Sequence, residues 1–511
     1  MPRDDDQKTL DTDAAGRPTF PPAGARARLD LAIGMAPLVT LALLVGRIPL
    51  LTRRRFDPDE FEHAHAAFCV ARGMLPYQDF FEHHTPWYYY LLRPFFRWFA
   101  VDQSLAEAMR FLVFGRVLSL VLTVLSLWLV YRIGRRLADR QAGLLAAFML
   151  AAQPIFFHKT FEIRPDVLAL PFLLGSLYLL VCALARHADR AGHDLRCFVG
   201  SGIALGAAVM CTQKMLFVLP GLLVGLGSWT LLADEHDRLG ARLARVAGFG
   251  LGLAAPGILT WAAFALEHGG RALIVNNFLL NAKWRHVVHE QLLLLLETSA
   301  PILILCLLGL CVALYAFFRA RPRRYGELVL ACTLLGLAAG VLVVPVAHRQ
   351  YYLILLPLVA WFAARGLGAA LGGAKQSIRA WLLPVAIAAL SILPARALDE
   401  AATQSNDQQV ARLREVFART KPTDLVMDGW EGTGVFRPHA FYYFFLHEES
   451  LDMLAPQRVE NFLDGLDTGR IRPRLIALDD NLLALGSRFV RFVKQNYTTT
   501  DKFFYWRRAD E

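Results

Sequence analysis

Apolar blocks alternate along the chain with short polar connections. The first runs from Leu29 to Leu51, and others fall near 111–131, 142–157, 167–185, 197–212, 215–232, 246–266, 294–318, 327–347, 351–371 and 380–397. A helix crossing the hydrocarbon layer needs about 20 mostly apolar residues, so the pattern predicts about eleven transmembrane helices. The division at Gln213-Lys214 rests on the fewest residues. Residues 1–28 are polar and rich in Asp, Arg, Pro and Gly, and are expected to be a disordered cytoplasmic tail. Leu29–Leu51 carries no small-residue cleavage site and reads as a retained anchor. From Leu398 the composition turns mixed: 424–428, 474–479 and 503–507 read as short strands, and 456–466 and 482–495 as helices. The expected fold class is mainly α, a polytopic membrane helical bundle over 29–397 followed by a small α/β domain over 398–511.

Composition agrees with this pattern. The chain has 511 residues, 55% of them hydrophobic, and a mean hydropathy of +0.38, outside the soluble globular range. The net charge of +10 does not point to nucleic acid, because the basic residues sit mostly in short loops between apolar blocks. Clusters such as Arg132, Arg135, Arg136, Arg140 and Arg319, Arg321, Arg323, Arg324 follow even-numbered spans, which places those loops and the N-terminus in the cytoplasm. The C-terminal domain is then extracytoplasmic. Arg53, Arg54 and Arg55 run against this bias and are read as functional or lipid-facing cations. The seven cysteines have no metal-type spacing and imply no disulfide framework. The Arg/Ala/Leu-rich usage and the lack of eukaryotic targeting signals lean towards a bacterial inner membrane.

Between the first two spans lies a polar, acidic and His-rich insert, residues 53–110. Charges this close to hydrocarbon call for a function. Asp57-Pro58-Asp59-Glu60 suits a helix start, with Pro58 in the first turn and carboxylates at the positive end of the dipole. Phe61, Ala64, Phe68 and Ala71 share a stripe, with Glu62, His65 and Arg72 elsewhere. The segment 59–72 is therefore expected to be an amphipathic helix on the membrane surface, with Asp59 and Glu60 facing water or a headgroup. Glu60, Glu62, His63 and His65 lack the spacing of a His pair four apart, so no metal ligand is assigned. No cofactor is fixed by the sequence, and a divalent metal stays open. Gly429, Gly432 and Gly434 follow a strand without a nucleotide fingerprint, and loop flexibility accounts for them.

Other loops on the insert's side are also ionic. They hold His158-Lys159, Glu162-Ile163-Arg164-Pro165-Asp166, Gln213-Lys214, a long segment from Glu267 to Gln291 with Asn276, Asn277, Asn281, Lys283, Trp284, Arg285, His286 and His289, and His348-Arg349-Gln350-Tyr351-Tyr352. Cations there can bind a lipid phosphate, and aromatic side chains can stack on a sugar or anchor the interface.

Pro58-Asp59-Glu60, then Phe81-Glu82-His83-His84-Thr85-Pro86-Trp87-Tyr88-Tyr89-Tyr90 entering the second span, resembles the first outer loop of C-type membrane glycosyltransferases (GT-C) of the protein O-mannosyltransferase and lipid A aminoarabinose transferase kind. His348-Arg349-Gln350-Tyr351-Tyr352 with Leu356-Pro357 is similar to that family's later basic-aromatic entry to a span. Thr85 and Trp87 depart from the family's Pro-Pro-Leu pattern, which leaves the acceptor pocket open. The resemblance implies transfer of a sugar from a polyprenyl-phosphate donor to a hydroxyl acceptor on a lipid, glycan or protein. By carry-over Asp59 is the first choice for the catalytic base with Glu60 beside it, and Asp57 and Glu82 are the fallback acids. Lys159, Arg164, Lys214 and Arg349 are assigned to the donor phosphate. His83, His84, Glu162, Asp166, His348, Tyr351 and Tyr352 are assigned to positioning sugar or acceptor.

Plainer readings exist: dipole-complementing carboxylates at Asp59 and Glu60, local ion pairs at Glu162–Arg164 and Arg164–Asp166, and an interfacial anchor at His348-Arg349-Tyr351. Two rival functions also stand. A polyprenyl-linked polysaccharide polymerase or ligase would use the same outward-facing cations. A lipid or solute transporter would place its ionisable residues near the bilayer midplane, whereas here they gather at one interface.

Overall fold

The computed structural model describes residues 23–184, 191–233, 238–281, 290–319, 323–343, 348–372, 374–451 and 453–508. Among these, 8 helices are long and apolar enough to cross a membrane, and three shorter apolar helices, Arg140–Ala151, Tyr325–Val341 and Leu356–Gly372, pack with them. The block at 111–131 is the middle of a longer helix, Leu105–Leu137. Ser104 starts it by accepting the Glu107 amide at 3.2 Å, and Arg135 and Arg136 complement its C-terminal carbonyls. The first helix begins at Ala23, so residues 23–28 are helical rather than part of a disordered tail, while 1–22 lie outside the described residues. The expected division at Gln213-Lys214 is present as a 3-10 segment, Gln213–Val218, separating Ala191–Cys211 from Leu219–Leu232.

Helices in lipid gain by close backbone approach, since burial of apolar surface drives association only weakly there. Gly309 and Gly366 show this: a Cβ on either would run into a carbonyl of the facing helix, Phe362 or Leu305 respectively.

The C-terminal unit holds four short strands, β1 (Val426–Asp428), β2 (Leu475–Ala477), β3 (Tyr497–Thr499) and β4 (Phe504–Arg507), in the order β1-β2-β4-β3. β1 pairs parallel with β2 and the other pairs are antiparallel. Helices Pro456–Asp467 and Ser487–Asn496 cover the sheet and bury Phe462, Leu463, Phe489 and Val493 against Ile476. Strand β3 lies between the expected helix 482–495 and the expected strand 503–507 and is not among the elements the pattern predicts.

This unit sits on the acidic insert, and that corrects one expectation. The helix Pro58–Ala71 is not at a water surface: Glu60 through Val70 are buried on every side. Phe61 and Phe68 meet Val435 and Phe436 of the C-terminal unit, and Leu413 from the helix Asp407–Arg419 joins the same cluster. Gln409 bonds both backbone groups of Phe56, accepting from its N–H at 2.8 Å and donating to its carbonyl at 2.9 Å. The polar side of the helix faces protein because a segment some 350 residues away in sequence folds over it.

The Gly429–Gly434 loop makes part of this contact and is not a flexible linker. Asp479 accepts the Gly429 and Trp430 amides, and Asp428 accepts those of Gly432 and Gly434. Gly432 has φ +74°, and a Cβ there would overlap the Phe61 side chain. Gly432→Ala is therefore expected to destabilise the folded protein by about 1–3 kcal/mol through strain and overpacking. A thermal melt in detergent checks this, and an unchanged transition would show that the C-terminal unit does not lean on Phe61.

Candidate active site

At the end of the bundle covered by the C-terminal unit, five segments line a cleft of about 360 Å³. The acidic insert contributes Asp57, Asp59, Glu62, His63, His83 and His84; the next loops contribute Lys159, Arg164, Lys214, His348, Arg349, Gln350 and Tyr351; Trp430 and His447 come from the C-terminal unit.

The acidic helix starts with a reciprocal cap. The Asp59 amide donates to Asp57 Oδ1 at 3.1 Å and the Asp57 amide to Glu60 Oε1 at 3.0 Å. This sets Asp59 and Glu60 in different directions. Asp59 points to the cleft, where its Oδ2 lies 2.6 Å from Arg164 with the side chain 18% exposed. Glu60 does not reach the cleft. It is fully buried, its two oxygens are held by Arg116 at 2.7 and 2.9 Å, and its Oε2 also accepts the Ile163 amide at 3.3 Å. The expectation that Glu60 stands beside Asp59 at the cleft is thereby corrected: Arg116 holds it in the interior, away from the lining.

The cations form one network. Arg164 donates to Glu162 Oε2 at 2.8 Å and lies 3.8 Å from both Asp57 and Asp166. Lys159 Nζ donates to Asp57 Oδ2 and to both Glu162 oxygens, each at 3.0 Å. Lys214 Nζ donates to Asp166 at 3.1 Å and sits 4.5 Å from the Tyr351 ring centre. Glu162 and Asp166 are thus turned to Arg164, Lys159 and Lys214 and are absent from the lining, a correction to their assignment to the sugar. They also differ from exposed local ion pairs, since both are about 1% exposed or less. Tyr352 is corrected as well: it is buried beside Leu353 and Ile354 and does not line the cleft. His348, Arg349 and Tyr351 do line it. Arg54 is buried 3.6 Å from Glu162, which accounts for one of the cations that run against the loop charge bias. Lys283, Trp284, Arg285, His286 and His289 lie outside the described residues, and Asn281 donates to the His83 carbonyl at 2.9 Å.

The electrostatics sort the carboxylates. Burial alone would raise the Asp59 carboxyl, but Arg164 and Lys159 hold it at about 2, so it is ionised at neutral pH. Burial, then Glu82 and Asp59, push Glu62 well above the ordinary carboxylate range. Burial raises Glu82 too, against the opposing pull of His83 and the His83 and His84 amides. Burial likewise lowers His84 to about 3, with Lys214 adding to it.

Glu62 and His63 were not assigned from the sequence, since they converge with Glu82 and His84 only through the fold. Glu82 Oε1 takes a hydrogen bond from His84 Nδ1 at 3.0 Å, which leaves the other ring nitrogen of His84 bare. Glu62 Oε1 and His63 Nε2 are buried and have no hydrogen-bond partner among the described residues, and the Tyr89 hydroxyl reaches the Glu82 carboxylate. Two desolvated carboxylates, one with an orphaned oxygen, beside imidazole nitrogens fit a divalent cation. Trp430 and His447 left no signal either, because neither belongs to a recognisable pattern.

Residues 83–261 match the family model described as dolichyl-phosphate-mannose-protein mannosyltransferase. Among solved structures, the apo state of ArnT from Cupriavidus metallidurans superposes with a TM-score of 0.62 at 13% identity, over 94% of this chain and 98% of that one. ArnT bound to undecaprenyl phosphate gives 0.61 at 13% identity, over 92% and 97%. The oligosaccharyltransferase AglB from Archaeoglobus fulgidus, in complex with an inhibitory peptide and a dolichol-phosphate, gives 0.55 at 13% identity, over 89% and 69%. No curated protein matches by sequence. At this identity the likeness establishes the fold.

Proposed function

We propose that this chain, which has the fold of the GT-C membrane glycosyltransferases of the ArnT and protein mannosyltransferase kind, moves a sugar from a polyprenyl-phosphate donor to a hydroxyl acceptor, with Asp59 as the base. The observation that carries this reading is the meeting of partly accessible carboxylates, Asp59 with Asp57 beside it, with Lys159, Arg164, Lys214 and Arg349 in a single cleft. Attack on an anomeric carbon needs a group to take the acceptor's proton, and an ionised carboxylate within hydrogen-bond reach serves. The phosphate leaving group is a weak base and needs cations rather than an acid; four preorganised cations in a partly desolvated cleft stabilise the charge that grows on it. Undecaprenyl phosphate and dolichol-phosphate, bound by the ArnT and AglB structures, are ligands of this chemical kind.

The base and the cations also regulate one another. Arg164 holds Asp59 at about 2, too acidic for a strong base. A donor phosphate competes for Arg164 and Lys159 and adds negative charge nearby, and both effects raise the basicity of Asp59 once donor is bound. The loop charge bias orients the cleft to the extracytoplasmic side.

Glu62, His63, Glu82 and His84 would hold a divalent ion, which when bound supplies positive charge beside the phosphate-binding cations. Removing metal is expected to lower transfer at least about tenfold, with recovery on adding a divalent ion back. Because Glu62 has a raised pKa, a proton competes with the ion, so metal affinity rises as pH rises and weakens as pH falls. Titration calorimetry at about pH 6 and about pH 8 checks the sign. Full activity in demonstrably metal-free protein would remove the ion from the reading.

The decisive experiment is lipid and glycan mass spectrometry of a deletion strain complemented with wild-type protein or Asp59→Asn. One glycoconjugate should lose a single sugar and regain it only with wild type. A polymerase or ligase would instead change chain length or attachment of a whole polymer. An unaltered glycan profile together with solute movement in vesicles would overturn the enzyme reading.

A further inference from the structure

Away from the cleft, the acidic helix carries a second group of ligating side chains, His65 and Cys69, four residues apart on one face. His439, from the loop after the glycine-rich segment of the C-terminal unit, completes it. His65 Nε2 lies 2.8 Å from His439 Nδ1, and Cys69 Sγ lies 3.5 Å from His65 Nε2 and 3.6 Å from His439 Nδ1. The reading of Asp59 as base uses none of these atoms.

We propose that His65, Cys69 and His439 form a zinc-type metal site that ties the helix carrying Asp59 to the C-terminal unit. Around a tetrahedral zinc ion, with Zn–S about 2.3 Å and Zn–N about 2.05 Å, sulfur and nitrogen ligands stand about 3.6 Å apart and two nitrogens about 3.3 Å apart. Both sulfur–nitrogen distances already fit, and the imidazoles need to part by only about 0.5 Å. His65 is also set for ligation. Its Nδ1 lies 2.9 Å from the Val435 carbonyl, which can only accept, so the ring proton is on Nδ1 and Nε2 keeps its lone pair for the group's centre. Phe68 and Phe444 flank the His65 ring, with Phe444 at 4.6 Å, and Phe80 lies against His439. These rings pack around the two imidazoles and keep the group in apolar surroundings. His65 and His439 also line a neighbouring cavity, which gives an entry path and room for a water as fourth ligand.

The protons balance. With the metal absent, His439 Nδ1–H donates to His65 Nε2. On binding, Cys69 releases its thiol proton to solvent and the sulfur–metal bond forms, while the His439 proton passes from Nδ1 to Nε2, leaving both imidazoles neutral. One proton is released per ion bound.

The thiolate gives this site a signature that the Glu62–His63–Glu82–His84 group cannot produce, since that group has no sulfur. Full-length protein in detergent, stripped of metal and titrated with cobalt(II), is expected to develop a thiolate-to-cobalt charge-transfer band that saturates at one ion per chain and is displaced by zinc. Cys69→Ala and His439→Ala should each abolish the band, and added zinc should raise the melting temperature of wild type by more than that of Cys69→Ala. Circular dichroism of both variants establishes that they remain folded. Absence of the band in folded wild-type protein, or its persistence in folded Cys69→Ala, would overturn the proposal while leaving the glycosyltransferase reading untouched.

Discussion

Replacing Asp59 with asparagine is expected to lower the turnover number for sugar transfer by about 10²–10⁴-fold, the contribution of a positioned general base, while donor affinity stays within a factor of about three. The pairing of the two outcomes matters. Asn keeps the shape and loses the proton acceptor, and removing a carboxylate from a phosphate-binding cleft does not weaken the hold on an anion. If Asp59 only positioned Arg164, to which it is bound at 2.6 Å, the substitution would loosen that guanidinium and weaken donor binding in step with turnover. Equilibrium binding of a polyprenyl phosphate, measured beside single-turnover transfer, separates the two. A variant with near wild-type turnover would pass the role of base to Asp57, the neighbouring fallback carboxylate, which lines the same cleft.

Arg116→Met is expected to cost about 3–5 kcal/mol of stability, the effect of stranding one member of a buried ion pair. Besides its two bonds to Glu60, Arg116 donates to the carbonyls of Leu51, Arg54 and Arg55 at 3.1, 2.9 and 3.0 Å and stacks 3.9 Å from the Phe56 ring centre. It therefore pins the end of the first span and the start of the acidic helix to the second span. Losing it leaves the fully buried Glu60 carboxylate with no cation and only the Asp57 and Ile163 amides as donors, and takes a donor from three carbonyls. The double variant Glu60→Leu with Arg116→Met removes both charges and is expected to recover part of the loss. Glu60→Gln alone should lower stability yet keep turnover per folded molecule within about tenfold. A loss as large as that of Asp59→Asn, in protein shown to be folded, would return Glu60 to the catalytic set. Thermal unfolding in detergent, with activity normalised to folded protein, reads all three variants.

Adjacent residues in one short motif thus divide into a cleft-facing carboxylate and a structural one, and the motif itself shows why the sequence could not tell them apart. Both are acids at a helix start with the same family resemblance. What separates them is Arg116, 56 residues further on, whose side chain captures Glu60 and leaves Asp59 to Arg164. Glu62 shows the same limit. It appeared to be on the solvent side of an amphipathic helix, but its surroundings include Glu82 and His84 on one side and the C-terminal unit on the other. The pairing of Glu162 and Asp166 with Arg164 was legible in the sequence, but their burial and their bonds to Lys159 and Lys214 were not. Lys159, Arg164, Lys214 and Arg349 needed less. Cations flanking apolar spans on the same side converge once the bundle forms, because the membrane fixes the height of each span end.

The linear chain determined the properties that depend on runs of neighbouring residues: apolar lengths that cross a bilayer, the break at Gln213-Lys214, three of the four strands of the C-terminal unit, and the gathering of ionisable residues at one end of the bundle. Each is set by hydrophobic transfer and local backbone preference. The tertiary structure decided which carboxylate meets the cleft, which is sealed by an arginine, and which side of the acidic helix sees water. Those outcomes turn on Arg116, Gln409, Gly432 and Val435, which are distant in sequence and reach the helix only when the chain has closed over it. The rotation of a helix by a fraction of a turn is too small to alter its pattern of apolar positions, yet it is enough to exchange a buried acid for an accessible one.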